Sequence, residues 1–305
     1  MTQSPVADEL ASFRDRQARD AAVLDKQLFF IASCSKSGST WLQHLLDGHR
    51  QVCCYGEAFF PTHLRPLFEQ VATVYNRSHK AGHERNRQQR SGDLQPDDVR
   101  HLYRSAVAGI MARWGGDHPE VLAVGDKTPE NAVGAASLLD DFPEARIIHL
   151  IRDGRDVCVS GWFHNLREKG DAFRQQFPDL AAYIPVMAGQ KWKPYIQHTR
   201  QVGEQRPEQY LEVSYEQLQA DPQPTVARLL AFLGVDASEA EVRTCIDAGD
   251  FRRLSGGRAQ GEEARDDFYR KGTAGDWRNH FDARCEAVFM QHAGDLLQQL
   301  GYAEA

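Results

Sequence analysis

Lys36 stands in a turn of small and hydroxyl-bearing residues, Ser35-Lys36-Ser37-Gly38-Ser39-Thr40, between an apolar run at residues 28–32 and a stretch in which Trp41, Leu42, Leu45 and Leu46 recur at helical spacing. That order reads as a buried strand, a tight turn and a helix start. Backbone N–H groups at a helix start lack intrahelical partners and carry partial positive charge, so they face an anion well. Lys36 adds a full charge, Gly38 permits close backbone approach, and Ser37, Ser39 and Thr40 supply hydroxyl donors. A nucleoside-triphosphate loop would place its lysine directly after the last glycine, followed by a metal-holding hydroxyl. Here Lys36 precedes Gly38 by two positions, and Ser39 occupies the place of that lysine.

Two later segments extend the anion chemistry. Residues 146–160, RIIHLIRDGRDVCVS, repeat the strand-turn-helix pattern and place Arg152 at a strand's carboxyl end, where parallel sheets bind ligands, with Ser160 eight positions on. By itself Arg152 is equally explained as a partner of Asp153 or Asp156. Residues 270–281, RKGTAGDWRNHF, bring Arg270 and Lys271 next to Gly272, two cations and a close-approach backbone amide suited to a phosphate dianion.

Together these segments resemble sulfotransferases that use 3′-phosphoadenosine 5′-phosphosulfate (PAPS). KSGSTW resembles their PKSGTTW loop, with Ser35 in place of proline and Ser39 in place of threonine. Arg152 and Ser160 match the pair that grips the nucleotide 3′-phosphate, and 270–281 matches RKGxxGDWKNxF. Residues 210–218, YLEVSYEQL, resemble the strand and turn whose tyrosine contacts adenine. The resemblance implies PAPS as co-substrate, a P-loop-like three-layer α/β/α fold around a central parallel sheet, and transfer of a sulfuryl group to a hydroxyl on a small molecule, glycan or peptide. It implies donor contacts from Lys36, Ser37, Gly38, Ser39, Thr40, Trp41, Arg152, Ser160, Tyr215, Arg270, Lys271 and Gly272. No metal is implied. As lone aromatics, Trp41 and Tyr215 also fit a core.

The acceptor's base is less direct. Cytosolic members use a histidine in a KTH segment, whereas GDKTPEN at 125–131 keeps Lys127 and Thr128 but has Pro129 at the histidine position. Tyrosylprotein and some carbohydrate sulfotransferases use a glutamate beyond the loop's helix, which the resemblance places at Glu57. Packing beside Phe59 and Phe60 would raise its pKa toward a useful range. Glu130, His164 and Asp126 are the reserves, and Lys127 joins Lys36 in stabilising the leaving phosphate. Trp162, Phe163, Phe59, Phe60 and Tyr183 either line an acceptor cavity or belong to the core. The rival functions are a P-loop kinase, with Asp126 holding magnesium beside ATP, and a nucleotide-binding module without catalysis.

The elements that must position these residues alternate along the chain. Strands are expected near 28–32, 51–55, 121–125, 146–151 and 210–213, and helices over 40–47, 133–140, 156–167 and 224–233. At 305 residues with 41% hydrophobic content, the chain is long enough for one large α/β domain, 1–305, with its motif-bearing core at 27–300. Polar residues 76–98 read as a mobile insertion or irregular helical segment near the acceptor entrance, and 255–267 as a mobile lid over the nucleotide. A net charge of −7 argues against a nucleic-acid or anionic-membrane surface, so basic groups must gather locally. No apolar run reaches the roughly 20 residues of a membrane helix, the amino terminus is polar, and six cysteines show neither metal nor disulfide spacing. A cytoplasmic protein with reduced thiols is expected.

Overall fold

The structure, a computed structural model, describes residues 5–86 and 92–303. Five parallel strands lie at its centre: β1 Gln27–Ser33, β2 Val52–Tyr55, β3 Ala123–Lys127, β4 Arg146–Ile151 and β5 Tyr210–Ser214. Their spatial order is β2-β3-β1-β4-β5, so β1 is central, with Ile31 opposite Lys127 on one side and Ile148 on the other. The expected strands are all present, displaced by at most two residues at their ends.

Helices cover both faces. In chain order they are α1 Pro5–Leu24, α2 Ser39–Asp47, α3 Arg65–Asn86, α4 Pro96–Met111, α5 Asn131–Asp141, α6 Gly154–Lys169, α7 Asp171–Gln176 and α8 Leu180–Ile184. They continue with α9 Lys193–Gln205, α10 Tyr215–Ala220, α11 Pro222–Leu233, α12 Glu239–Ala248, α13 Phe251–Leu254 and α14 Ala283–Gln299. Side chains alternate across a strand, and β1 shows the consequence. Leu28, Phe30 and Ala32 pack with Val107, Met111 and Leu138 of α4 and α5, while Phe29 and Ile31 pack with Leu45, Leu46 and Leu230 of α2 and α11. A continuous apolar strand therefore serves two cores, which gives the expected three-layer α/β/α arrangement. A third apolar cluster, with Trp192 and Phe289 fully buried, seats α6 against α8 and α14.

The segment read as a mobile insertion or irregular helix divides differently. Residues 76–86 continue α3 as a regular helix and α4 begins at Pro96, where Gln95 and Asp98 form a reciprocal cap; positions 87–91 lie outside the described residues. High polarity hid the helix because α3 needs only one face against the body: Leu67, Val71 and Val74 stay exposed while Ala72 is buried. Residues 255–267, by contrast, contain neither helix nor strand. Among the described residues no helix is long and apolar enough to cross a membrane. All six cysteines are buried and free.

Candidate active site

The loops after β1, β3, β4 and β5 meet at the carboxyl edge of the sheet, where an open α/β sheet leaves a crevice between diverging connections. There a cavity of about 620 Å³ is lined by Lys36, Gly38, Ser39, Thr40, Trp41, Arg152, Ser160, Tyr215, Arg270, Lys271 and Gly272, all expected nucleotide contacts, and by Glu57, Glu130 and His164. Ser37 is buried beneath the loop and does not line it; its Oγ has no partner among the described residues.

In the first loop the backbone turns through left-handed conformations at both Lys36 (φ 73°) and Gly38 (φ 96°). A left-handed lysine costs about 1–2 kcal/mol, so the surrounding structure must impose it. Gly38 is required twice over, by its φ and because a Cβ there would stand 2.6 Å from the Tyr215 ring. Among the described residues no side chain caps α2, which leaves the first-turn N–H groups available to a ligand. Burial, helped by nearby Arg167, lowers the Lys36 pKa to about 8.

Arg152 joins the three motifs. Its guanidinium donates to the carbonyl of Lys36 at 3.2 Å, to that of Thr273 at 2.9 Å, and lies 4.3 Å from the Tyr215 ring centroid. Its Nε is buried and unpaired among the described residues. Of the two carboxylates considered for Arg152, Asp156 is 3.6 Å away and Asp153 belongs instead to Arg155. Asp156 has a second task that the sequence did not disclose: its oxygens accept from the N–H of Gly275 at 2.6 Å and of Trp277 at 2.8 Å, fastening the third motif to α6. Asp276, the acid of GDW, was also missed. It receives Arg270 and Lys271 together and orients both. Burial alone would lift this carboxyl, but hydrogen bonds from Lys271, Asn279 and Arg270 outweigh burial and hold it well below the usual carboxylate range.

Trp41 lines the cavity with its Nε1 donating to Gly249 O at 2.8 Å. Phe251, an unexpected wall residue, sits against Gly272 so closely that a Cβ there would be 2.4 Å from its ring. Tyr215 is 6% exposed and supports Arg152 from below. Phe268 and Tyr269, just past the segment read as a lid, also line the cavity, with the Lys36 ammonium 5.2 Å from the Phe268 centroid.

At the other end of the cavity, Glu57 Oε1 receives the Lys127 ammonium at 2.6 Å. The lysine side chain is 6% exposed and Glu57 41%. Packing of Glu57 into an apolar environment with Phe59 and Phe60 is therefore not what the structure shows. Phe60 is fully buried in the core beside Trp114, and Phe59 stacks on His63. Lys127 stands behind Glu57 rather than lining the cavity. Asp126 leaves the set of reserve bases. It is fully buried, does not line the cavity, and its two oxygens accept from the Ala58 N–H at 3.2 Å and Asn131 at 2.9 Å; burial, against the hydrogen bonds from Asn131 and Thr128, pushes its pKa up to about 6. The same engagement removes the ligand that a kinase reading assigned to magnesium.

Of the acceptor aromatics only Tyr183 lines the main cavity, with Met187, Asn165 and Lys191. Trp162 packs on Phe173 and Tyr183, and Phe163 lies beneath the Arg270 guanidinium at 4.8 Å, bordering a small recess that also holds Lys36, His164 and Arg167. Among the described residues no cluster of His, Cys, Asp and Glu has metal-holding geometry.

A family model described as "Sulfotransferase family" matches residues 29–239. Protein-tyrosine sulfotransferase A of Caenorhabditis elegans is 28% identical over 209 residues, which is 68% of this chain and 49% of that protein. Cytosolic sulfotransferase 17 of Arabidopsis thaliana is 29% identical over 161 residues, 44% of each chain. The chain thus spans about half the length of these curated relatives. A mouse sulfotransferase solved in complex with PAP superposes with a TM-score of 0.55 at 17% identity, covering 92% of this chain and 91% of that one, a likeness of fold.

Proposed function

The chain belongs to the sulfotransferase family, and on that premise we propose that it transfers a sulfuryl group from PAPS to an acceptor hydroxyl, giving a sulfate ester and adenosine 3′,5′-bisphosphate. One observation carries the reading: Arg152 bonds simultaneously to loop residues 116 and 121 positions away, so that three cation-bearing segments line a single cavity. The donor set suits a nucleotide with two phosphate groups. Arg152 lines the cavity and its Nε is a buried donor without a partner among the described residues, and a bound anion would relieve the cost of leaving it so.

In this proposal Arg152, Ser160, Arg270 and Lys271 hold the 3′-phosphate, and the α2 start with Ser39 and Thr40 holds the 5′ end. Trp41 and Phe251 supply apolar walls for the base. PAPS contributes an activated sulfuryl group. Glu57 takes the proton from the acceptor hydroxyl as its oxygen attacks sulfur, while Lys36 stabilises the charge that grows on the departing phosphate oxygen. Lys127, through its 2.6 Å contact, sets the orientation of the Glu57 carboxylate. The acceptor enters between Tyr183, Met187 and Lys191. Buried, unpaired cysteines support a reducing, cytoplasmic setting.

Calorimetry and a transfer assay test this together. Adenosine 3′,5′-bisphosphate should bind with higher affinity than magnesium-ATP, and radiolabel should pass from PAPS to a hydroxyl acceptor in a panel of phenols, sugars and tyrosine peptides. Preference for magnesium-ATP would favour the kinase, and tight bisphosphate binding without turnover of any acceptor would favour the inactive module.

A further inference from the structure

His164 lies on α6 one turn beyond Ser160 and lines the cavity near Lys36. Its Nδ1 is 3.0 Å from a terminal nitrogen of Arg167. A guanidinium offers only N–H donors and keeps its charge, so Nδ1 must be the acceptor and its lone pair is committed. The proton of a neutral imidazole then resides on Nε2. Arg167 is itself fixed: it donates to the lid carbonyl of Asp267 at 2.7 Å and to Glu168 at 3.0 and 2.9 Å.

The charged surroundings favour the same state. Lys36 faces His164 from the loop after β1, and Arg167, Glu168 and Lys169 from its own helix. Across the small recess stand Arg265 and Asp267 of segment 255–267 and Arg270 of the third motif. Cations outnumber carboxylates in this set. Burial first, then Lys36 and Arg167, lower the pKa of the ring below that of an ordinary histidine.

We propose that His164 is not a base but a hydrogen-bond donor, presenting Nε2–H to the oxygens of the transferring sulfuryl group, and that Arg167 is the positioning residue that selects this tautomer. The role rests on the sulfuryl-transfer reading and deepens it. As the acceptor oxygen bonds to sulfur and the bond from sulfur to the 5′-phosphate oxygen breaks, the acceptor proton goes to Glu57 and His164 keeps its own. A neutral donor suits this position, since it holds the anionic sulfuryl oxygens in line for transfer without a further buried cation beside Lys36.

The direct test is the two-bond proton–nitrogen correlation pattern of His164 in isotope-labelled protein saturated with adenosine 3′,5′-bisphosphate, assigned by its loss in His164→Gln. An Nε2–H ring at neutral pH is expected; an Nδ1–H ring, or an imidazolium at neutral pH, overturns the proposal. Arg167→Met should abolish the tautomer preference and raise the ring's pKa, and an unchanged spectrum would remove Arg167 from its role. In turnover, His164→Gln retains a donor near Nε2 and should stay within about tenfold of wild type with its acid limb intact, whereas His164→Ala should lose about a hundredfold. Equal losses in both, with the acid limb gone, would make His164 the base. If the wild type moves no sulfuryl group, the function proposed above fails and this role with it; an Nδ1–H ring in an active enzyme defeats this role alone.

Discussion

The two ends of the cavity are built differently. At the end proposed for the nucleotide these cations are braced before any ligand arrives: Arg152 between two carbonyls and a tyrosine ring, Arg270 and Lys271 on Asp276, and the whole third motif on the buried Asp156. At the end proposed for the acceptor, Glu57 pairs with Lys127 and is 41% exposed, while Glu130 and Lys191 line the wall without a side-chain hydrogen bond or ion pair among the described residues. Groups held in place lose little entropy on binding, so the braced end suits one invariant ligand, and the open end leaves its remaining contacts to the acceptor.

The largest test of that contrast lies at the open end. Glu57→Gln keeps the shape but cannot take a proton, so turnover should fall by roughly 10²–10⁴ while calorimetry shows nucleotide affinity unchanged. A near-normal rate would mean that the base lies elsewhere. Next is Lys36, at the junction. Lys36→Ala should reduce turnover by about 10²–10³ and affect bisphosphate binding much less, because its charge acts on the departing oxygen. Since its ammonium is lost as pH rises through about 8, kcat/KM of the wild type should decline above that pH, and the variant should lack that limb.

At the braced end the effects should be on binding. Arg152→Ala and Arg270→Ala should each weaken adenosine 3′,5′-bisphosphate by about tenfold or more, as expected for a charge-assisted bond worth roughly 1.5–3 kcal/mol. Unchanged affinity in both would remove the proposed 3′-phosphate site. The smallest effect should come from Asp156→Asn, which retains one acceptor oxygen and turns an amide N–H₂ toward the other backbone N–H. Denaturant titration should show a loss of about 1 kcal/mol, and an unaltered midpoint would mean that Asp156 does not brace the third motif.

Local patterns made much of this legible. The apolar run of β1, the turn at Lys36-Ser37-Gly38 and the helix after it depend on neighbours in the chain, and so do the ends of α11, where Pro222 begins the helix and Gly234, at φ 73°, terminates it. Residue types at Lys36, Arg152 and Arg270 were likewise enough to single out cations that the structure brings to one cavity. The helix through 76–86 escaped because its sequence is almost wholly polar, which leaves a weak periodic signal.

What tertiary structure decided was which of several chemically equivalent groups face the cavity. Asp126, Glu57 and Glu130 are all acids near strand ends, yet Asp126 is consumed by Asn131 and the Ala58 N–H while the other two line the cavity. Asp156 looked like an ordinary partner of Arg152, and its work on the third motif follows from contacts made after the chain has folded back on itself, whereas Asp276, missed altogether, holds Arg270 and Lys271 within its own segment. Sequence determined the chemistry available here because residue type and near-neighbour spacing are local. The assignment of roles belonged to the fold, because burial and hydrogen-bond pairing are set by which distant segments meet.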